Sequence, residues 1–346
     1  MKLGQATIKD IAKELNVSLS TVSRALKDYP GISNETKRKV KELAEKLNYR
    51  PNAIALSLRK SKSFTIGVII PEVVHFFFST VISGIEEVAF ANGYNVILCQ
   101  TNEKLQRELS SIEAMLDNQV DGLLVSYSKE TEDFNHFTKL LKQNFPIVFF
   151  DRVPEIENTV NVTVNDFKGA YDATSHLINQ GYKNIAHLAG PKNLTISRKR
   201  LDGYLAALQD HSIKHNPDWI IPCPIGTQEE SFEFTKRLFE NEKAKPDGIF
   251  ASNDIAAAGA MMAVKSLGLK VPSDVGVVGF SDWQFSSMID PPLSTVSQPG
   301  FQMGEKAISL LLEMINKKKD ETWTPKTVVL ETELIIRKSS EKIITE

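Results

Sequence analysis

Ser18, Thr21 and Ser23 place three hydroxyls within six residues of chain, and Arg24 follows at once. Hydroxyls of this kind hydrogen-bond phosphate oxygens, which fixes a protein's register on a duplex without reading its sequence. The planar fork of Arg24 matches the O6 and N7 acceptors of a guanine, and serves a phosphate equally well. The chemistry suggested is contact with nucleic acid. It needs a rigid carrier, and the neighbouring residues supply one. Thr7-Ile8-Lys9-Asp10-Ile11-Ala12-Lys13-Glu14-Leu15 has the pattern of a short amphipathic helix, with Thr7 placed to cap it and Asp10 to complete a capping box. Asn16-Val17-Ser18 interrupts the pattern, and a second helix runs from Ser18 to Leu26. Ile8, Ile11, Ala12, Leu15, Val17, Val22 and Leu26 then make one compact apolar set. Two short helices joined by a tight turn form a helix-turn-helix, whose second helix enters the major groove with its first residues at the base edges.

Charge agrees with this reading. Residues 1–62 hold 14 Lys and Arg against 6 Asp and Glu, leaving 27 against 37 in the rest, so a net charge of −2 conceals a basic end on an acidic body. A basic module gains affinity for a duplex by releasing condensed counterions. Residues 35–46 alone would suit an ordinary solvated helix. Joined to the helix-turn-helix, Asn34, Thr36 and Lys37 become candidates for further phosphate contacts.

Catalytic readings fare poorly. Gly279-Phe280-Ser281-Asp282-Trp283 half-resembles a nucleophile elbow, but Trp283 stands where a second glycine must let strand and helix close up, and no histidine is placed to activate Ser281. His211 and His215 have helical i,i+4 spacing, yet no glutamate intervenes and Pro217 soon follows, which suits a solvated helix end better than zinc. No phosphate-binding loop or dinucleotide glycine fingerprint occurs, so neither an enzyme nor a cofactor is expected. The longest apolar runs fall well short of the ~18 residues of a membrane helix, and no membrane partner is expected. Met1-Lys2-Leu3-Gly4-Gln5 leads into a polar helix, not an export signal, and Cys99 and Cys223 read as buried reduced thiols in strands. A cytoplasmic location is expected.

The chain's 346 residues allow two or three domains. Pro51 ends a third helix, since the residue before a proline avoids helical geometry. Residues 53–60 have helical composition but are too few to be stable alone, and 61–63 form a linker. From Thr65 apolar runs alternate with amphipathic helices, the pattern of a parallel sheet with crossover helices. Strands are expected at 65–70, 94–100, 122–126, 147–151, 160–164, 185–190, 219–223, 248–252 and 275–280. Helices are expected at about 79–92, 105–118, 133–143, 167–180, 198–210, 229–241, 254–267 and 301–316. The body divides into two doubly wound halves near Asn161. Segments 293–298 and 327–337 each return to a different half, which makes two lobes crossed by three strands. The expected organisation is a headpiece over 1–60, with a helix at 52–59, and a core over 61–346. Lobe 1 would take 63–162 and 294–324, and lobe 2 would take 163–293 and 325–340. Ligands of such lobes bind at the carboxyl ends of their strands, in the cleft.

Longer motifs add a resemblance. Ala6-Thr7-Ile8-Lys9-Asp10-Ile11-Ala12, Val17-Ser18-x-Ser20-Thr21-Val22-Ser23-Arg24 and Leu47-Asn48-Tyr49-Arg50-Pro51-Asn52-Ala53-x-Ala55 closely resemble the headpiece of the LacI/GalR (lactose-repressor/galactose-repressor) family. Ile66-Gly67-Val68-Ile69-Ile70-Pro71, Val120-Asp121-Gly122, Phe150-Asp151-Arg152, Arg200-x-x-Gly203-Tyr204, Asn253-Asp254 and Pro291-Pro292-Leu293-Ser294-Thr295-Val296 continue it along nearly the whole chain. The resemblance implies a homodimeric repressor on a palindromic operator, with a periplasmic-binding-protein-like core whose effector changes operator affinity. A transport-type sugar receptor would share the two lobes, but should carry a secretory signal and no basic headpiece.

The resemblance also implies roles for particular residues. Leu19 and Ser20 stand where the family chooses bases, with Leu19 limited to apolar contact such as a thymine methyl, and Thr7 joins the DNA-contacting set. Asn52, Ala55, Leu58 and Arg59 fall in the family's hinge helix, which folds against its dimer mate over the minor groove. There Leu58 would wedge between base steps, Ala55 would permit close approach and Arg59 would hold a phosphate. For the effector, His75-Phe76-Phe77-Phe78 follows the first core strand, and the family pattern points to Phe77 and Phe78 as stacking faces. Arg200 is the strongest polar candidate, with Ser197 beside it. Arg152 and Asp151 suit ligand contacts or a mutual ion pair, and Asn253 suits a helix cap, a ligand donor or both. Ser281 stands where many members carry an acid, with Asp282 displaced by one, and Asn165-Asp166 reverses the usual order. Asp282 or Asp166 would supply the carboxylate that accepts from vicinal hydroxyls. Trp283 offers a face to a pyranose or to the opposite lobe. A sugar or sugar phosphate is the expected effector.

Overall fold

The computed structural model describes residues 6–49, 62–240, 245–317 and 324–342. They form two compact units, Met1–Phe64 and Thr65–Glu346. The hinge candidates Asn52, Ala55, Leu58 and Arg59 lie outside the described residues.

In the first unit, helices α1 (Ile8–Glu14), α2 (Leu19–Ala25) and α3 (Asn34–Lys46) surround one small core. The Thr7 N–H donates to Asp10 Oδ2 at 2.7 Å, closing the capping box. Asn16 takes a left-handed φ of +49° and turns the chain after α1. Ser18 Oγ then accepts the Thr21 N–H at 3.1 Å and starts α2. Ser33 does the same for α3, accepting from the Thr36 N–H at 3.2 Å. Ile11, Val22, Ala25 and Val40 are fully buried between the helices, packed by Leu15, Val17 and Leu26.

The second unit holds two six-stranded sheets. The first is built from β1 (Thr65–Ile70), β2 (Asn95–Gln100), β3 (Gly122–Val125), β4 (Ile147–Phe150), β5 (Val160–Val164) and β11 (Thr327–Leu330). Its order is β11-β5-β4-β3-β1-β2, all parallel. The second comprises β6 (Ile185–Ala189), β7 (Ile220–Pro222), β8 (Gly248–Ala251), β9 (Gly276–Ser281), β10 (Ser294–Ser297) and β12 (Glu333–Ile335). Here the order is β12-β10-β9-β8-β6-β7, with only β12 antiparallel to its neighbour. Helices α4 (Phe76–Ala91), α5 (Leu105–Asp117) and α6 (Asn135–Lys142) join strands of the first sheet. Helices α7 (Asp166–Asn179), α8 (Thr195–Asp210), α9 (Gln228–Glu240) and α10 (Asp254–Ser266) serve the second. The last, α11 (Gly300–Asn316), returns to the first lobe and packs on α4. That packing is close: a Cβ on Gly304 would stand 2.1 Å from the Val81 carbonyl oxygen, and one on Gly84 would stand 2.1 Å from that of Phe301.

Three expectations change. The first sheet continues through β5, so the lobes divide at Asn165, not near Asn161. Segment 294–297 pairs with β9 instead of joining lobe 1, because Val296 finds its apolar partners, Val278 and Phe280, in the second core. Conversely, 327–330 pairs with β5 in lobe 1, whereas 333–335 closes the edge of lobe 2. His211 and His215 both lie beyond the end of α8, and Cys223 lies just past β7. Ser339 and Ser340 are fully buried; Ser339 Oγ donates to the Val277 carbonyl at 2.6 Å and accepts the Ser294 N–H at 2.8 Å.

Candidate functional site

On the headpiece, packing sorts α2 into two faces. Val22 and Ala25 point into the core with nothing exposed, while Leu19, Ser20 and Arg24 lie open to solvent and Thr21 and Ser23 are half-buried. Leu19 is 45% exposed, and it is not part of the headpiece core. Ser18 Oγ also bonds the Ser20 and Thr21 hydroxyls, each at 2.8 Å, so its capping role and its phosphate role share one oxygen. The Arg24 guanidinium carbon sits 5.5 Å from the centre of the exposed Tyr29 ring, which holds the fork on the open side. Asn34 and Thr36 stand on the first turn of α3, where the helix dipole favours a phosphate, although the Thr36 hydroxyl already bonds Ser33 at 2.8 Å.

In the second unit, loops after the carboxyl ends of the strands of both sheets line one cleft of about 140 Å³. From the first lobe come His75, Phe77, Phe78, Glu103, Lys129, Asp151 and Arg152, and from the second Ser197, Arg200, Ser252, Asn253, Ser281 and Trp283, among others. The lobes touch across it. The His75 and Trp283 rings meet edge-on at 5.1 Å, Lys129 Nζ donates to the Ile225 carbonyl at 3.2 Å, and Asn193 Nδ2 donates to the Lys129 carbonyl at 2.5 Å. Trp283 therefore packs against the opposite lobe while still lining the cleft.

Each polar group is held in place by others. Arg200 is buried, its guanidinium carbon 3.7 Å from the centre of the Phe280 ring. Its Nε donates to Asp166 Oδ1 at 2.8 Å, Nη2 lies 2.7 Å from the same oxygen in an ion pair, and Nη1 donates to the Ser252 carbonyl at 2.7 Å. A guanidinium has five N–H donors, so these partners do not use all of them. Burial pushes the Asp166 carboxyl up from the ordinary aspartate range, against the opposing pull of Arg200. Asn253 Oδ1 accepts the Ala256 N–H at 2.7 Å and caps α10, while its amide nitrogen faces Gly226 at the cleft wall. Buried Asp254 accepts from Trp283 N–H, Ser286 Oγ and Thr295 Oγ1 at 2.7, 2.8 and 2.5 Å, which fixes the loop carrying Ser281 and Trp283.

Asp151 differs from all of these. Its side chain is 6% exposed and lines the cleft, and its carboxylate accepts no hydrogen bond among the described residues. Burial raises its pKa to about 6. Its backbone lies at φ +58°, in the left-handed region a non-glycine seldom adopts and which is found repeatedly at functional sites.

Eight of the eleven cleft candidates do line the cleft: Phe77, Phe78, Arg152, Ser197, Arg200, Asn253, Ser281 and Trp283. Three do not. Asn165 caps α7 through the Lys168 N–H, Asp166 stands behind Arg200, and the Asp282 carboxylate is turned away to Arg337 Nη2 at 2.8 Å. Nor do Asp151 and Arg152 form a mutual ion pair, since Arg152 pairs with Glu103. His75, Glu103, Lys129, Ser252 and Gln298 join the lining without having been singled out for it. All follow the carboxyl end of a strand by a few residues, which is the signal that would have found them.

Comparison with known proteins gives two family matches: residues 7–52 to "Bacterial regulatory proteins, lacI family", and residues 63–331 to "Periplasmic binding proteins and sugar binding domain of LacI family". The HTH-type transcriptional repressor PurR of Pasteurella multocida is 32% identical over 338 residues, covering 96% of this chain and 98% of its own. A lac repressor dimer bound to operator and the anti-inducer ONPF superposes with a TM-score of 0.84 at 26% identity, over 97% of this chain and 99% of that one. The transcriptional regulator CelR in complex with cellobiose gives 0.73 at 26% identity, over 96% and 99%.

Proposed function

The chain belongs to the lacI family of bacterial regulatory proteins, and from that premise we propose a homodimeric cytoplasmic repressor whose hold on a palindromic operator changes when a carbohydrate binds in the cleft. The observation that carries the effector reading is Asp151. An almost fully buried carboxylate without a partner is costly, and hydroxyl donors from a ligand would remove that cost. Arg200 and the Asn253 amide supply spare donors nearby, and Phe77, Phe78 and Trp283 supply apolar faces, the mixture a sugar ring requires. The cellobiose bound by CelR supports the same class.

On the DNA side, Leu19, Ser20 and Arg24 would meet base edges, with Ser18, Thr21, Ser23, Asn34 and Thr36 on phosphates. A single headpiece reads one half-site, so a dimer supplies the second. Met262 and Met288 are 49% and 79% exposed on the second lobe, apolar surface that a mate would cover.

Two variants separate the halves of this proposal. Arg24→Ala weakens binding to a palindromic operator by about 1–3 kcal/mol per half-site at one base position while leaving effector binding intact. Arg200→Ala abolishes the effector response while sparing DNA binding. Gel shifts at two salt concentrations and thermal-shift screening of mono- and oligosaccharides read both. A response to purines or amino acids, with silence across the sugars, sinks the carbohydrate assignment, and equal loss of both functions in either variant indicates misfolding.

A further inference from the structure

Among the described residues, five side chains that carry charge at neutral pH line the cleft: Glu103, Lys129, Asp151, Arg152 and Arg200. Three cations would ordinarily make such a cleft a receptor for phosphate or carboxylate. Here each cation already has a protein partner, and both terminal nitrogens of Arg152 are filled, only its buried Nε being without one. Arg152 Nη1 and Nη2 donate to the two oxygens of Glu103 at 2.7 and 2.8 Å, the fork-to-fork geometry an oxyanion would otherwise occupy. Arg152 Nη1 also reaches the Tyr127 carbonyl at 3.2 Å. Arg200 is tied to Asp166, and Lys129 Nζ is turned to the Ile225 carbonyl. Glu103 itself is held in place, accepting the Lys129 N–H at 2.8 Å from a backbone at φ +61°. The Glu103 and Arg152 side chains are each only 12% exposed, so solvent does little to weaken the pair. The one charge left unpaired is negative, on Asp151.

We propose that Glu103 sets the charge class of the effector: by filling both terminal nitrogens of Arg152 it stands where an oxyanion would bind, and it restricts the cleft to uncharged, hydroxyl-bearing molecules. This rests on the cleft being the effector site, and it narrows the sugar-or-sugar-phosphate expectation to the neutral member. An entering phosphate would have to expel Glu103 from a buried bidentate pair and then lie near the Asp151 carboxylate.

The test needs no knowledge of the effector, because its probe is inorganic phosphate. Calorimetry and thermal shift on the full chain compare the wild type with Glu103→Ala, Glu103→Gln and the double variant Glu103→Ala/Arg152→Leu. The wild type gives no saturable phosphate binding in the core, and Glu103→Ala gains it, tighter by at least about tenfold. Glu103→Gln keeps an acceptor for the Lys129 N–H and gains less, so it reads the effect even if the alanine variant folds poorly. Removing Arg152 as well abolishes the gain, which separates the cleft from phosphate held by the basic headpiece. Phosphate binding equal in wild type and variants, or absent from both folded Glu103 variants, overturns the proposal. If the variants gain phosphate but no sugar binds the wild type, the charge assignment stands and the carbohydrate reading falls. If a phosphorylated sugar binds the wild type more tightly than its neutral parent, the reverse holds.

Discussion

At the scale of the residue, Asp151 links stability to function. Its carboxyl titrates at about 6, above the ordinary aspartate value of 3.8, because burial disfavours the charged form. The folded, ligand-free core therefore gains stability from protonating this group below about pH 4 and loses it as pH rises through 6. Effector binding runs the other way, since only the carboxylate accepts freely from hydroxyl donors: affinity weakens as pH falls through 6. Asp151→Asn should raise the melting temperature of the ligand-free protein at neutral pH by several degrees, on the order of 2–3 kcal/mol, and flatten the pH dependence of effector affinity. An unchanged pH profile would assign that dependence to another group. Sequence alone placed Asp151 correctly at the end of a strand but left its role open, because the competitor for Arg152, Glu103, is 49 positions from that arginine in the chain. Asp282 misled for a related reason. It sits beside cleft residues in sequence, yet Arg337, from the far end of the chain, draws it aside.

At the scale of the element, the headpiece was the most legible part, since capping residues and apolar spacing act within a few positions. Thr7 with Asp10, Asn16 and Ser18 mark the boundaries of α1 and α2 as their chemistry requires. Ser33, the cap of α3, shows the same signature and was open to the same reasoning. Ser18→Ala removes a cap from a two-turn helix, worth about 1 kcal/mol, so amide exchange in α2 should quicken about fivefold. DNA affinity should fall alike on all sequences, because a phosphate contact carries no base preference. A loss confined to one base position would instead make Ser18 a reader. The strand β10 was the least legible element. Four residues of mixed polarity carry no mark of the sheet they will join, and the choice is made by Val296 against Val278 and Phe280 together with Thr295 against Asp254.

At the scale of the whole molecule, the chain passes between the lobes three times, after β5, after β10 and after β11. Alternation of strands and helices sufficed to foresee two doubly wound lobes with three crossings. Which late segment returned to which sheet required knowing the partners already in place. One result is that lobe 2 depends on residues at the end of the sequence. Ser339 and Ser340 are buried against Val277, Ser294 and His176, with Ser340 Oγ 2.7 Å from His176 Nε2. Removing residues from Ser339 onward should unfold lobe 2, seen as loss of the cooperative melting transition of the core, whereas ending the chain after Lys342 should leave that transition in place. A premature stop at the codon for Ser339 would therefore behave as a null allele, even though every side chain assigned to the groove or the cleft is still translated.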